Sequence, residues 1–284
     1  MRAFTASVQD VFREAAARWT LLAYFVLSSL FILIFAFAVN LDIVDGALAG
    51  AKLFGRSLEI SDSRIDLDKL VLGFESGFSA FLYLVGTFLA IFATAHLVPR
   101  LQEKGTVDLY LSRPVGRISL LLSRYAAGLL LAGVNLLYLI GSIWAIVFWK
   151  TRVAHPRFLL GGVVILFAIS ALLAFAFLVG VVTSSTGVSI MATYGIFFFS
   201  ALLAGHERIA AAVSKQWQAH VVNGLYWIFP KTAELGQAVV AFVSAGQAPA
   251  RLQQSLTWLP FATTAAFALT CIGLASFLFR RKDF

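Results

Sequence analysis

LVPRLQEKGTVDLYLSRPVGRISLLLSRY, residues 97–125, is a charged stretch set between two long apolar runs. It carries Arg100, Lys104, Arg113, Arg117 and Arg124. Pro99 lacks an amide hydrogen and biases the residue before it away from the helical region, so it kinks or ends the preceding helix. Gly105 breaks the chain again. Thr106 is placed as the N-cap of a short helix through Leu111, with Asp108 near its positive end. Pro114 pushes Arg113 towards an extended conformation and stops that helix. After Gly116 and Arg117, the amphipathic run 118–124 leads into the next apolar run. The segment reads as a rigid, charged elbow on a membrane protein, with Glu103 and Arg100 flanking its kink. A plain charged loop would need neither the cap nor the stop.

Working outward, 60% of the chain is apolar, with 27 Phe, and only 13% is charged. A soluble domain holds about 45–50% apolar residues. Six runs have the ~20-residue length that carries a helix across ~30 Å of hydrocarbon: 19–39, 78–98, 126–148, 158–182, 188–204 and 258–279. The expected fold is an all-α membrane protein of six spans in one domain over 1–284. Its cytoplasmic segment is 99–125, and its extracytoplasmic segments are 40–77 and 205–257. The single cysteine, Cys271, falls within the last span and supports neither a disulfide framework nor a cysteine metal site.

Residues 1–18 place Phe4, Val8, Val11, Phe12 and Ala15 at helical spacing, as expected of a helix lying on the membrane surface. The first span exceeds the 7–15-residue apolar core of a signal peptide, so it is read as a retained span. With the amino terminus inside, Arg2, Arg13, Arg18, the five basic residues of the elbow, Arg280, Arg281 and Lys282 all face the cytoplasm. These are half of the 22 basic residues, packed into the shorter loops. Both termini are therefore expected to be cytoplasmic, in a prokaryotic inner membrane. Topology accounts for the net charge of +8, and nucleic acid is not an expected partner.

In the outer segment 40–77, the alternating runs RSLEI and RIDL around residues 61–63 suggest a small hairpin. In 205–257, a helical 207–217 precedes YWIFP and a ten-residue apolar run, 235–244, too short to span and suited to a re-entrant or interfacial helix. Trp217, Trp227 and Trp258 suit the outer boundary.

The spans hold no Asp, Glu, Lys or Arg in their interiors, which argues against a proton- or sodium-coupled carrier. Asn135 is the most polar mid-span residue, fit for interhelical hydrogen bonding or for lining a pathway. His206-Glu207 opens an HExxH-like string, but Ala210 stands where the second His is needed. No G-x-S-x-G and no Gly-Lys-Ser/Thr phosphate loop occurs. No catalytic residue, metal ligand or cofactor is expected on this chain, and any energy for work must enter from a partner.

E-K-G-T-V-D-L-Y-L-S-R-P-V-G-R, residues 103–117, resembles the pattern E-x-G-T-x-x-L-L-L-S-x-P-V-S-R of ABC-2-type exporter permeases, most closely the nitrous-oxide-reductase maturation group. Glu103, Gly105, Thr106, Leu109, Leu111, Ser112, Pro114, Val115 and Arg117 match, while Gly116 replaces the usual Ser. The resemblance implies a permease half whose elbow docks on a separate ATPase. Its coupling residues would be Arg100, Glu103, Lys104, Gly105, Thr106, Asp108, Arg113, Pro114 and Arg117. It further implies two ATPase copies carrying ATP and Mg, and a second permease copy in a homodimer or a similar heterodimer. Membrane lipid and an extracytoplasmic protein complete the candidate partners. The alternative is a non-transporting anchor or assembly subunit of an envelope or redox complex. The uncharged spans favour a hydrophobic or amphiphilic cargo, or force transmission to an outer partner.

Overall fold

The computed structural model describes residues 19–44, 47–53, 56–58, 67–102, 116–213, 215–244 and 257–282. The surface helix expected at 1–18, the turn at 61–63 and the elbow tip 103–115 lie outside them. The helices are α1 Trp19–Ala38, α2 Leu67–Thr94, α3 Leu97–Leu101, α4 Arg117–Thr151 and α5 Pro156–Thr183. Then come α6 Thr186–Leu203, α7 His206–Ala212, α8 Gln216–Ile228, α9 Thr232–Val243 and α10 Trp258–Arg281. Among the described residues, five stretches are long and apolar enough to cross a membrane: Val71–Leu101, Arg117–Thr151, Pro156–Thr183, Thr186–Leu203 and Trp258–Arg281. Leu22–Phe37, within α1, and Thr232–Val243 are shorter apolar stretches.

The helical expectation is met throughout the bundle. Outside it, β1 Val39–Val44, β2 Ala47–Leu53 and β3 Arg56–Leu58 form a small antiparallel ribbon. Val44 pairs with Ala47 and Leu53 with Arg56, so the ribbon turns earlier than the alternating runs suggested. Of those runs, Arg56–Leu58 pairs back on β2, and Leu67 already starts α2.

At the centre stands α5, apolar on every face and therefore buried on most of them. It packs against α2, α4, α6, α9 and α10. Ile169, Leu173, Ala174, Ala176 and Phe177 are fully enclosed. Apolar attraction cannot drive helices together within lipid, so close backbone approach through small residues must do so. A Cβ on Gly161 would come within 2.9 Å of Val243, and one on Gly162 within 2.8 Å of Ile140. Side chains there would separate α5 from α9 and from α4.

α2 stops at Thr94 and resumes as α3 at Leu97. Pro99 has no amide hydrogen to donate to the carbonyl of Ala95, four residues back, so the break falls at 95–96 and Pro99 itself sits within the short helix. At its other end α2 begins well before the expected span and carries Glu75 inside, 1% exposed. His155 Nδ1 lies 2.9 Å from Glu75 Oε2. Glu75 lies outside the expected span 78–98, on the part of α2 that extends beyond it, and a carboxylate with a paired imidazole is tolerated where a lone one is not. Arg124 of α4 is likewise buried. Both groups lie about two turns from a helix end rather than at mid-span.

The expected helix over 207–217 divides into α7 and α8. α9 is 12 residues, about 18 Å, and is packed inside the bundle rather than laid on its surface. Its first turn has orphan donors, and hydroxyls of neighbouring spans take them up. Lys231 N–H donates to Thr264 Oγ1 at 3.1 Å, and Thr232 N–H to Ser200 Oγ at 3.2 Å. Tyr83 donates back to the Thr232 carbonyl. Lys231, in the turn before α9 and outside the five spans, sets its ammonium 3.1 Å from the Tyr226 ring centre. Burial pulls that ammonium down to about 8, with Glu234 opposing. Trp149, Trp217, Trp227 and Trp258 are all exposed at this end of the bundle, as aromatic anchors of a membrane boundary are.

Candidate functional site

The elbow begins and ends on two stems, Gln102 after α3 and Arg117 at the start of α4. Each stem is tied to a helix terminus that is remote in sequence. α5 ends with Ser184 in the left-handed conformation (φ 54°), its N–H returning to the Gly180 carbonyl at 2.9 Å. The last carbonyls of a helix have no partner within it, and here other chain segments supply donors. Gln102 Nε2 donates to Gly180 O at 2.8 Å, and Ser184 Oγ donates to Gln102 Oε1 at 2.8 Å. Lys282, just beyond α10, spends its three donors on Gln102 Oε1, Val181 O and Ser184 Oγ, the last two at 2.8 Å. Its positive charge lies at the negative end of the α5 dipole. Partial burial holds that ammonium below the usual lysine range.

The second stem closes the ring. Arg117 Nη1 donates to the carbonyls of Arg280 at 3.2 Å and Lys282 at 2.9 Å. Residues 280–282 therefore touch both ends of the elbow. α3 packs against both α5 and α4, with Leu97, Val98, Pro99 and Leu101 buried. At Gly180 a Cβ would stand 3.2 Å from Pro99 Cδ and 3.2 Å from Ser189 Oγ.

Of the expected coupling residues, Arg100 and Arg117 are described, and only Arg117 joins this ring. Glu103, Lys104, Gly105, Thr106, Asp108, Arg113 and Pro114 lie outside the described residues. Gln102, Gly180, Ser184 and Lys282 were not expected at the site. Their one signal in the sequence was shared topology, since an even number of crossings sets 99–125, 183–187 and the 280–284 tail on one side.

Lys282→Met should leave three acceptors without their charged donor. Water reaches this half-exposed site, so the cost should be about 1 kcal/mol rather than that of a buried orphan. Hydrogen exchange should then quicken at 97–102 and 180–184 and stay unchanged in α9.

Among the described residues, five helices are long and apolar enough to cross a membrane, and Gln102, Arg117, Ser184 and Lys282 meet at one end of them. The sequence model of the family described as "ABC-2 family transporter protein" matches residues 8–284. The chain belongs to the ABC-2 transporter family. No curated protein matches it. As an ABC-2 family protein it is a multi-pass membrane subunit of the permease kind, and such permeases typically partner with an ABC ATPase. The match covers nearly the whole chain and therefore includes the ring of Gln102, Arg117, Ser184 and Lys282.

Proposed function

We propose that this ABC-2 protein is the permease half of an ATP-driven exporter, and that 103–115 with its two stems receives the stroke of a separate ATPase. The observation that carries this reading is the tie of both stems to the ends of α5 and α10. A displacement of the elbow cannot then be absorbed locally and must pass into two spans. In this reading the stem end is cytoplasmic, both termini lie inside, and α1, 20 residues and about 30 Å long, is the sixth span. Two permease copies and two ATPases form the complex, with ATP and Mg held by the ATPases. Transport runs outward or delivers force to an extracytoplasmic partner.

The polypeptide purified alone should hydrolyse no ATP, whereas co-expression with its cognate ATPase should yield a complex whose hydrolysis depends on the permease. Robust hydrolysis by the isolated chain would refute this function. An ATPase that binds but keeps the same turnover with and without the permease would favour an anchoring subunit instead.

A further inference from the structure

A second surface lies at the end of the bundle opposite the stems, where α6 ends at Leu203 and the chain continues through α7 and α8. α8 has 13 residues, and none of them is buried. A helix this short is marginal in water unless an apolar face is packed. One side of α8, with Ala219, Val222, Leu225 and Tyr226, is half-buried. Tyr226 stacks on His206 of α7, with ring centres 3.7 Å apart. Just past the helix, Phe229 meets Phe199 of α6 edge-on at 5.2 Å, and Ser200 Oγ donates to the Pro230 carbonyl. α8 therefore leaves the bundle at the level where α6 ends.

The outward side of α8 divides in two. Trp217, Val221, Gly224 and Ile228 follow one another at i, i+4, i+7 and i+11 and form an apolar line. Trp217 is 61% exposed, Val221 49% and Ile228 65%. Gln216, His220 and Asn223, also exposed, form a polar line beside it, which Trp227 closes at the bundle end. A contiguous apolar surface of this kind marks a protein or membrane contact. Three features favour lipid. The helix starts at the level where a span ends, so its stripe continues the lipid-facing surface of the bundle. Indoles stand at both ends of its outward side, and indoles favour the lipid–water interface. α8 carries no Asp or Glu and follows the exposed Lys215, so no carboxylate on it is repelled by headgroup phosphates.

We propose that α8 lies along the lipid–water interface of the leaflet at this end. Trp217, Val221 and Ile228 turn into the acyl boundary, while Gln216, His220 and Asn223 stay among the headgroups. α8 passes through Phe229 and Pro230 into α9, so this contact ties the leaflet to an element inside the bundle. The surface stands independently of how the elbow works.

The test uses the full chain in vesicles of phosphatidylcholine with phosphatidylglycerol. With the only cysteine removed by Cys271→Ala, a nitroxide is attached at Val221→Cys or at Asn223→Cys, both exposed positions. Gly224→Cys and Gln216→Cys repeat the comparison at other turns, and unchanged thermal unfolding of a labelled variant shows that its fold survives. Collisions with oxygen, which concentrates among acyl chains, and with a water-soluble nickel chelate give each label's depth. The label at 221 should read roughly 5–10 Å below the lipid phosphates, and the label at 223 at or above them. Nickel collisions as frequent at 221 as at 223 would overturn the proposal, since α8 would then stand in water. So would a label at 221 shielded from both oxygen and nickel, the mark of a protein surface seated on the stripe.

Discussion

Glu103→Lys should detach the ATPase from this permease while leaving membrane insertion and expression intact. If Glu103 is desolvated against a basic partner group, reversing it removes one attraction and adds a repulsion. Losing one member of a buried interfacial charge pair costs about 2–5 kcal/mol, a roughly 30- to 4,000-fold loss of affinity. A solvated loop charge contributes about 0–1 kcal/mol and would not be missed. Thr106→Ala is the calibrating variant. Losing a helix cap costs about 1 kcal/mol, so binding should weaken only about fivefold. Quantitative pull-down of the ATPase from solubilised membranes gives the comparison. Wild-type binding and wild-type permease-dependent hydrolysis in Glu103→Lys would reduce the elbow to a loop that only sets topology.

The second large effect should come from Gly180→Leu, where binding and coupling part company. The substitution adds a side chain where even a Cβ would press on the Pro99 ring and the Ser189 hydroxyl, each at 3.2 Å. Overpacking of this kind costs about 1–3 kcal/mol. Replacing a helical glycine returns roughly 0.8–1 kcal/mol, so global stability should change little. The geometry should change more: α3 must lift from α5, and Gln102 loses its reach to the Gly180 carbonyl. We expect the ATPase to bind as before and its permease-dependent hydrolysis to fall about tenfold, the equivalent of ~1.4 kcal/mol on the coupled step. Gly180→Ala should be intermediate. A variant that binds and stimulates like the wild type would show that the α3–α5 contact carries no signal.

The sequence exposed what depends on local composition and hid what depends on distant partners. Apolar runs of span length located the helices because lipid forces each crossing to satisfy its own backbone. Their ends were less visible. α2 reaches back to Leu67 past Glu75, whose partner His155 is 80 positions away. Pro99 was legible as a breaker, but the carbonyl it strands belongs to Ala95, so the break appears upstream of the proline. The ribbon after α1 had a local signal that the alternating runs obscured. Asp45-Gly46, a favoured two-residue hairpin pair, stands between the paired Val44 and Ala47. At the stems, the basic tail explained topology well enough that Lys282 gave no sign of a further role. Gln102 beside a charged run had no feature to distinguish it. Only the fold brings these two to the end of α5.

The way α1 is fastened has a kinematic consequence. Its polar ties, among the described residues, all go to α4: Ser28 to Asn135, Ser29 to Tyr138, and the Ala36 carbonyl to Lys150. Towards α2 it presents stacked rings, Phe31 on Phe81 and Phe35 on Phe74, which can slide without breaking a hydrogen bond. α4 is thus a lever with a passenger: its near end is held at Arg117, and the first helix rides along its far half. Sliding of α1 past α2 along these rings would break none of those hydrogen bonds, although the two are the nearer neighbours in sequence.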